Sequence, residues 1–167
     1  MVVFILNQRA QITLERRQAR LLLVSSQLRD LYGPLNALVD VNERLWEALR
    51  DETLPAKPER QPAGGGEEWN RWRDSVLMPV SREMRDLILK RPDLLIEDQV
   101  PQPLVDFCAH VAAREVAMSG RADGFQERAL IPHPGAEYVG YVRDAFSYLK
   151  SEQRRLLQLR HVRQQLA

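Results

Sequence analysis

An all-α fold is the class that this sequence predicts: a bundle of four or five helices in a single domain of 167 residues. Apolar side chains recur every three or four positions along most of the chain, as on one face of a helix. We find no sustained two-residue alternation bounded by turns, the pattern typical of a strand. The length and the 44% hydrophobic content are sufficient for a core that needs no disulfide or metal.

The first half of the chain predicts two helices and a loop. Residues 7–32 contain no glycine and carry a stripe of leucines and valine at helical spacing. Gly33 and Pro34 then leave two interpretations open, a sharp turn between helices or a kink in one long helix. Residues 34–50 predict a second helix. Residues 51–66, with three prolines and three consecutive glycines, predict a mobile surface loop.

The second half predicts three helices. The third helix begins at Glu67 and runs to about residue 90, with Pro79 expected to kink it. Residues 94–96 predict a short turn packed on the core, and a fourth helix follows over about 103–118. Residues 119–135 are rich in glycine and proline and predict a loop. The last helix, from about Tyr138 to the end of the chain, would be roughly 45 Å long. Because the first and last helices are long and carry heptad-like stripes, we expect them to pair antiparallel, as in a coiled coil.

Charge is distributed unevenly, although the net charge is only +1. Residues 1–30 have five arginines against two acids, and residues 150–167 have five basic residues against one glutamate. The residues between them therefore carry a net negative charge. An antiparallel pair of end helices would bring both basic segments to one pole beside an acidic body.

The first six residues, Met1 to Leu6, are all apolar, and a basic run follows them. They are too short to span a bilayer, which needs about 20 apolar residues, and they lack the features of a secretory signal. Two interpretations stay open: a first helical turn that is frayed or packed on the core, or the remnant of a transmembrane helix. The arginines that follow suit the cytoplasmic flank of such a helix.

Catalysis and metal binding have little support in the sequence. Cys108 and His110 are two residues apart, so on a helix they point about 200° apart and cannot share a metal ion. Cys108 is expected to be a small buried hydrophobe and His110 a hydrogen-bonded boundary residue. The glycines at 64–66 lack the Lys-Ser/Thr of a phosphate-binding loop. We therefore predict no enzyme activity, no metal and no cofactor.

The resemblance of this chain to a known group rests on four motifs. These are Leu31–Leu35 (LYGPL), Trp69–Pro79 (WxxW followed by MP), Cys108–Ala112 (CAHVA) and Tyr138–Leu157, the closing helix. With these motifs the chain resembles a loose group of uncharacterised bacterial proteins, over most of its length from about residue 20. The resemblance implies an all-helical architecture, in some members preceded by a membrane segment, and implies no activity.

The first functional hypothesis is a non-catalytic helical interaction or scaffold protein with a protein partner, cytoplasmic and held at a membrane through its N-terminus and basic chain ends. The contact with anionic lipid or an acidic partner is assigned to the arginines of the two end helices: Arg9, Arg16, Arg17, Arg20, Arg154, Arg155, Arg160 and Arg163. Nucleic acid is disfavoured as a partner because no aromatic residues are interleaved with these arginines.

Two further hypotheses stay open. One is a small-ligand-binding or enzymatic domain, whose pocket would gather aromatic and soft side chains: Tyr32, Trp69, Trp72, Cys108 and His110. At helical spacing the two tryptophans are expected to belong to the core. The other hypothesis is a homo-oligomer formed through the apolar stripe of the last helix.

Overall fold

The computed structural model describes residues 2–52, 67–119 and 130–164, and these residues form helices with short connections and no strand. The α-helices are α1 (Val2–Gln27), α2 (Gly33–Glu52), α3 (Glu67–Trp72), α4 (Met78–Lys90), α5 (Gln102–Ser119) and α6 (Ala136–Gln164). A 3₁₀ turn, Pro92–Leu94, follows α4. The all-α prediction is therefore confirmed. Asp51 and Glu52, the first two residues of the predicted loop at 51–66, belong to α2, and the rest of that segment lies outside the described residues.

Two π-helical turns, Leu28–Tyr32 and Arg73–Leu77, join α1 to α2 and α3 to α4. The backbone N–H groups of Gly33 and Met78 bond to the carbonyls five residues back, and a proline follows each of them directly. A proline ring clashes with the carbonyl four residues back, and the wider π turn relieves this clash. The open question at 33–34 is thereby answered: the helix continues without a turn. Pro79 likewise lies inside a continuous helix.

The core consists of two clusters of buried side chains. The first lies among α2, α4, α5 and the beginning of α6: Leu35, Val39, Met78, Met84, Ile88, Leu104, Phe107, Val111, Tyr138 and Val142. The second lies between α1, the first π turn and α6, with one residue of the 3₁₀ turn: Val24, Leu28, Leu31, Tyr32, Leu94, Ala145, Leu149 and Leu156. Helix α6 contributes to both clusters, so it connects the two halves of the core.

A chain of hydrogen bonds holds the connection between α4 and α5 against the long helices. The Ile96 N–H donates to the Tyr32 hydroxyl over 3.3 Å, and the Tyr32 and Tyr141 hydroxyls are 2.9 Å apart. The Tyr141 hydroxyl donates in turn to Glu97 over 2.9 Å. Because a carboxylate can only accept, the Tyr32 hydroxyl is the donor to Tyr141. Leu94 is buried nearby, as expected for a short turn packed on the core.

Helical periodicity in the sequence predicts that Leu14 and Val41 belong to buried stripes, but both side chains are exposed. Leu14 is exposed because the fully buried positions of α1 begin only at Val24. Val41 is 52% exposed, whereas Asn42 is 8% exposed. Position 41 lies about 200° around the helix from buried Val39, so the polar residue at 42 takes the inward position.

Candidate interaction surface

Helices α1 and α6 run antiparallel, which confirms the predicted pairing. Tyr32 contacts Tyr141, whereas the Gln153 amide donates to Ser25 over 3.2 Å. Residues earlier in α1 therefore lie beside residues later in α6. The beginning of α1 and the end of α6 lie at the same end of the molecule, and they bring together arginines from the two ends of the sequence.

We call the arginines of these two helix ends the arginine pole: Arg9, Arg16, Arg17, Arg20, Arg154, Arg155, Arg160 and Arg163. All eight lie on α1 or α6. The side chains of Arg160 and Arg163 lie outside the described residues, as do those of residues 1–6, on which the prediction of a membrane remnant rests.

Glu152 partly neutralises the arginine pole. Its carboxylate accepts two hydrogen bonds of 2.9 Å from Arg155 and lies 3.7 Å from the Arg20 guanidinium. The hydrogen bonds from Arg155, and to a lesser extent the charge of Arg20, lower the pKa of Glu152 below its ordinary value. Two of the predicted contact arginines are therefore already engaged within the chain.

The other arginines of the pole with described side chains remain available to a partner. Arg9, Arg16 and Arg154 are exposed, Arg17 is half-buried, and none of the four forms an ion pair with another described residue. Arg9 and Arg16 are seven residues apart, so they point within about 20° of each other on α1. They form a basic stripe on one face of the helix.

An apolar ridge, defined here as Ile12 and Leu23, lies beside this stripe, and exposed Leu22 points about 100° away from Leu23. Leu22 is 70% exposed, and Ile12 and Leu23 are each 41% exposed. Ile12 and Leu23 are eleven residues apart and point within about 20° of each other, close to the direction of Arg16. Helix α1 thus presents a second, smaller amphipathic face away from α6. A face of this kind suits an interfacial surface or a protein groove.

The residues proposed for a ligand pocket do not assemble into one site. Trp69 packs against Trp46 with ring centroids 5.6 Å apart, Tyr32 contacts Tyr141, and His110 contacts His133. Trp69 and Trp72 are both half-buried and belong to neither core cluster, so the expectation that they lie in the core is not met.

His110 occupies the hydrogen-bonded environment predicted for it, whereas Cys108 is half-buried and not fully buried. Cys108 is half-buried against the first core cluster, and this burial raises the pKa of its thiol to about 11. A thiol with a raised pKa is a poor nucleophile at neutral pH. His110 is half-buried, and its Nδ1 lies 2.8 Å from the Ile131 carbonyl oxygen.

A shallow cleft of about 470 Å³ lies beside the first π turn and α4, and none of the residues proposed for a ligand pocket lines it. It is lined by Asp30, Glu83, Asp86, Leu87, Lys90 and Arg91. Its charges are largely paired internally: Asp86 accepts from Arg85 and Lys90, and Asp30 accepts from Arg29. Such a cleft offers few uncommitted groups to a ligand.

Within residues 2–52, 67–119 and 130–164, no three metal-ligating side chains are grouped closely enough to hold a metal ion. Across the same ranges, no helix combines the length and the apolar character needed to cross a bilayer.

Two residues that matter at these sites were not singled out from the sequence. In the sequence, Glu152 only interrupts the apolar stripe of the last helix, and the antiparallel register of α1 and α6 is needed to pair it with Arg20. His133 lies in a segment predicted as a loop, and no periodic signal marks it. Searches against protein-family models, curated proteins and solved structures find no match to this chain.

Proposed function

We propose that this protein is a non-catalytic helical interaction protein that docks through its arginine pole on the anionic, cytoplasmic surface of a membrane. The observation that carries the proposal is the convergence of two basic segments, distant in the sequence, at one end of the α1–α6 pair. Their exposed arginines, with the apolar ridge beside them, are the groups that an anionic lipid surface attracts.

The charge pattern favours lipid over a second copy of the chain. In an antiparallel α1–α1 dimer, the basic stripes along the apolar ridge would lie next to each other and repel. Against phosphates, each uncompensated arginine near the surface contributes about 1 kcal/mol. The ligand-pocket hypothesis has weaker support, since Trp69, Tyr32 and His110 pack against different partners.

Sedimentation with vesicles tests the proposal. The full chain is mixed at low salt with phosphatidylcholine vesicles, with and without phosphatidylserine. We expect binding only to the vesicles that contain phosphatidylserine, and loss of binding as salt rises, because exposed charges are screened. Binding to neither kind of vesicle, or equal binding to both, would contradict the proposal. If the chain bound neither kind, an acidic protein would be the preferred partner.

A pair of double variants separates the pole from overall charge. Arg16→Gln with Arg17→Gln removes two charges from the pole and should weaken binding about 30-fold, the equivalent of about 2 kcal/mol. Arg44→Gln with Arg50→Gln removes two exposed charges about 45 Å further along the same continuous helix. This control should bind nearly as well as the unmodified chain, and equal weakening by both doubles would argue against a specific role for the pole.

A further inference from the structure

Two histidine rings meet where the segment 130–135 lies against α5. The His110 and His133 ring centroids are 5.0 Å apart, in a T-shaped arrangement. His110 Nδ1 lies 2.8 Å from the Ile131 carbonyl oxygen, and the Gly135 N–H donates to His133 Nδ1 over 2.8 Å. Both contacts join a histidine side chain to the backbone of this same segment.

These two hydrogen bonds determine where the ring protons lie. A carbonyl oxygen can only accept, so His110 carries its proton on Nδ1. A backbone N–H can only donate, so His133 Nδ1 must hold a lone pair, and the proton of the neutral ring is on Nε2. A second proton on His133 would occupy Nδ1 and abolish the bond from Gly135.

The surroundings oppose a positive charge on either ring. His133 lies three residues before the start of α6, whose N-terminus carries the positive end of the helix dipole. The ionisable groups that act on His133 are His110 and Arg114 of α5, and Arg114 also acts on His110. Arg73 of the second π turn acts in turn on Arg114.

The His133 ring also covers the aromatic centre of the first core cluster. Phe107 of α5 and Tyr138 of α6 are stacked with centroids 4.0 Å apart. The His133 ring meets both at right angles, with centroids 5.7 Å from Phe107 and 6.3 Å from Tyr138. Moving the segment would uncover the edges of these two rings.

We propose that the segment 130–135 is an acid-released latch, which detaches from α5 when His133 and His110 become protonated and uncovers Phe107 and Tyr138 while the helices stay folded. Packing against Phe107 and Tyr138 removes solvent from one side of the His133 ring while the other side stays exposed, and this desolvation, followed by the charges of His110 and Arg114, lowers the pKa of His133 from 6.5 to about 4. Burial also lowers the pKa of His110, and the hydrogen bond to Ile131 opposes this shift. A lowered histidine pKa means that the docked state binds fewer protons than the released one. Docking is therefore fully favoured above pH 6.5 and is lost as the pH falls toward 4.

Nuclear magnetic resonance of the ring nitrogens in the full chain tests the starting arrangement. At neutral pH we expect the Nδ1–H form for His110 and the Nε2–H form for His133, and both rings should titrate below pH 6.5. The signals of the third histidine, His161, are assigned with a His161→Asn variant. A proton on His133 Nδ1 at neutral pH would overturn the proposal.

Fluorescence of an apolar dye tests the release itself. As the pH falls from 7 to 4, dye binding should rise while the far-ultraviolet circular dichroism stays helical. His133→Asn keeps an oxygen that can accept from the N–H two residues on, and it does not titrate. This variant should lose the acid-induced rise, whereas His161→Asn should keep it.

Two results would overturn the latch. The first is an unchanged rise of dye binding in His133→Asn, and the second is a loss of helical signal at the same pH as the rise. If His133→Asn fails to fold, the ring-nitrogen titration of the unmodified chain still decides the question.

Discussion

The contact between Gly33 and the Leu28 carbonyl shows how one residue accommodates an irregular turn. A Cβ atom built on Gly33 would overlap the Leu28 carbonyl oxygen, which accepts the Gly33 N–H in the π turn. The backbone angles of Gly33 are ordinary helical ones, so the requirement for glycine here is space and not conformation. Met78 occupies the corresponding position of the second π turn. Glycine is therefore required by the close approach of the Leu28 carbonyl oxygen to position 33, and not by π turns in general.

Gly33→Ala should therefore destabilise the fold, by about 1–3 kcal/mol in the free energy of unfolding, because the carbonyl or the helix must shift. Gly140→Ala is the matched control. Gly140 also lies inside a helix, but a Cβ there meets nothing within 4 Å. Its replacement should stabilise the protein by about 0.5–1 kcal/mol, since alanine is the better helix former. Denaturant unfolding measures both changes, and stabilisation by Gly33→Ala would contradict the argument.

Among the elements, the contact between α4 and α5 depends on one carboxylate that two arginines share. Glu115 of α5 accepts from Arg82 over 2.7 Å and from Arg85 over 2.6 Å. The hydrogen bond from Arg82 is the main reason that the pKa of Glu115 is lowered, and Arg85 lowers it further. About a third of the Glu115 side chain is exposed, so solvent weakens the pairs.

Glu115→Gln should lower the free energy of unfolding at pH 7 by about 0.5–1.5 kcal/mol. Because the folded pKa is lowered, the stabilisation is present above the ordinary value of 4.5 and is lost as the pH falls below it. The difference between variant and parent should therefore shrink at pH 3. Glu83→Gln, an exposed glutamate on α4, is the control and should change stability by less than about 0.5 kcal/mol. A difference that grew at low pH would refute this role for Glu115.

The presence of the helices could be predicted from the sequence, because apolar side chains that become buried recur at the helical period. The two π turns could not, since a single extra residue in a turn barely disturbs the spacing of leucines on either side. The prolines at 34 and 79 marked where the irregularities lie but not their form. The exposure of Leu14 was missed because periodicity records the face of a helix and does not record where the neighbouring helix ends.

For the whole molecule, the sequence indicated that two basic segments would meet, and the antiparallel pairing of α1 and α6 is confirmed. The degree of internal neutralisation was not predictable, because Glu152 pairs with Arg20 across 132 positions of the chain. Such pairing depends on the register of two helices to within one residue. The role of the arginine pole stays a prediction, as does the resemblance to the bacterial helical group.

Tyr32 and Tyr138 of the core clusters, together with the partly buried Tyr141 that packs against both clusters, also make the whole molecule sensitive to alkali. Burial raises the pKa values of Tyr32, Tyr138 and Tyr141, and the bond to Tyr32 raises that of Tyr141 further. A raised tyrosine pKa stabilises the fold below the ordinary value of about 10 and ceases to do so as the pH rises above it. In a Tyr148→Phe variant, which removes the half-exposed fourth phenol, tyrosinate absorbance should appear only together with the loss of helical circular dichroism. Phenolate absorbance that rose while the helices persisted would contradict this coupling. Ionisation of the tyrosines would thus provide an intrinsic optical record of the bundle coming apart.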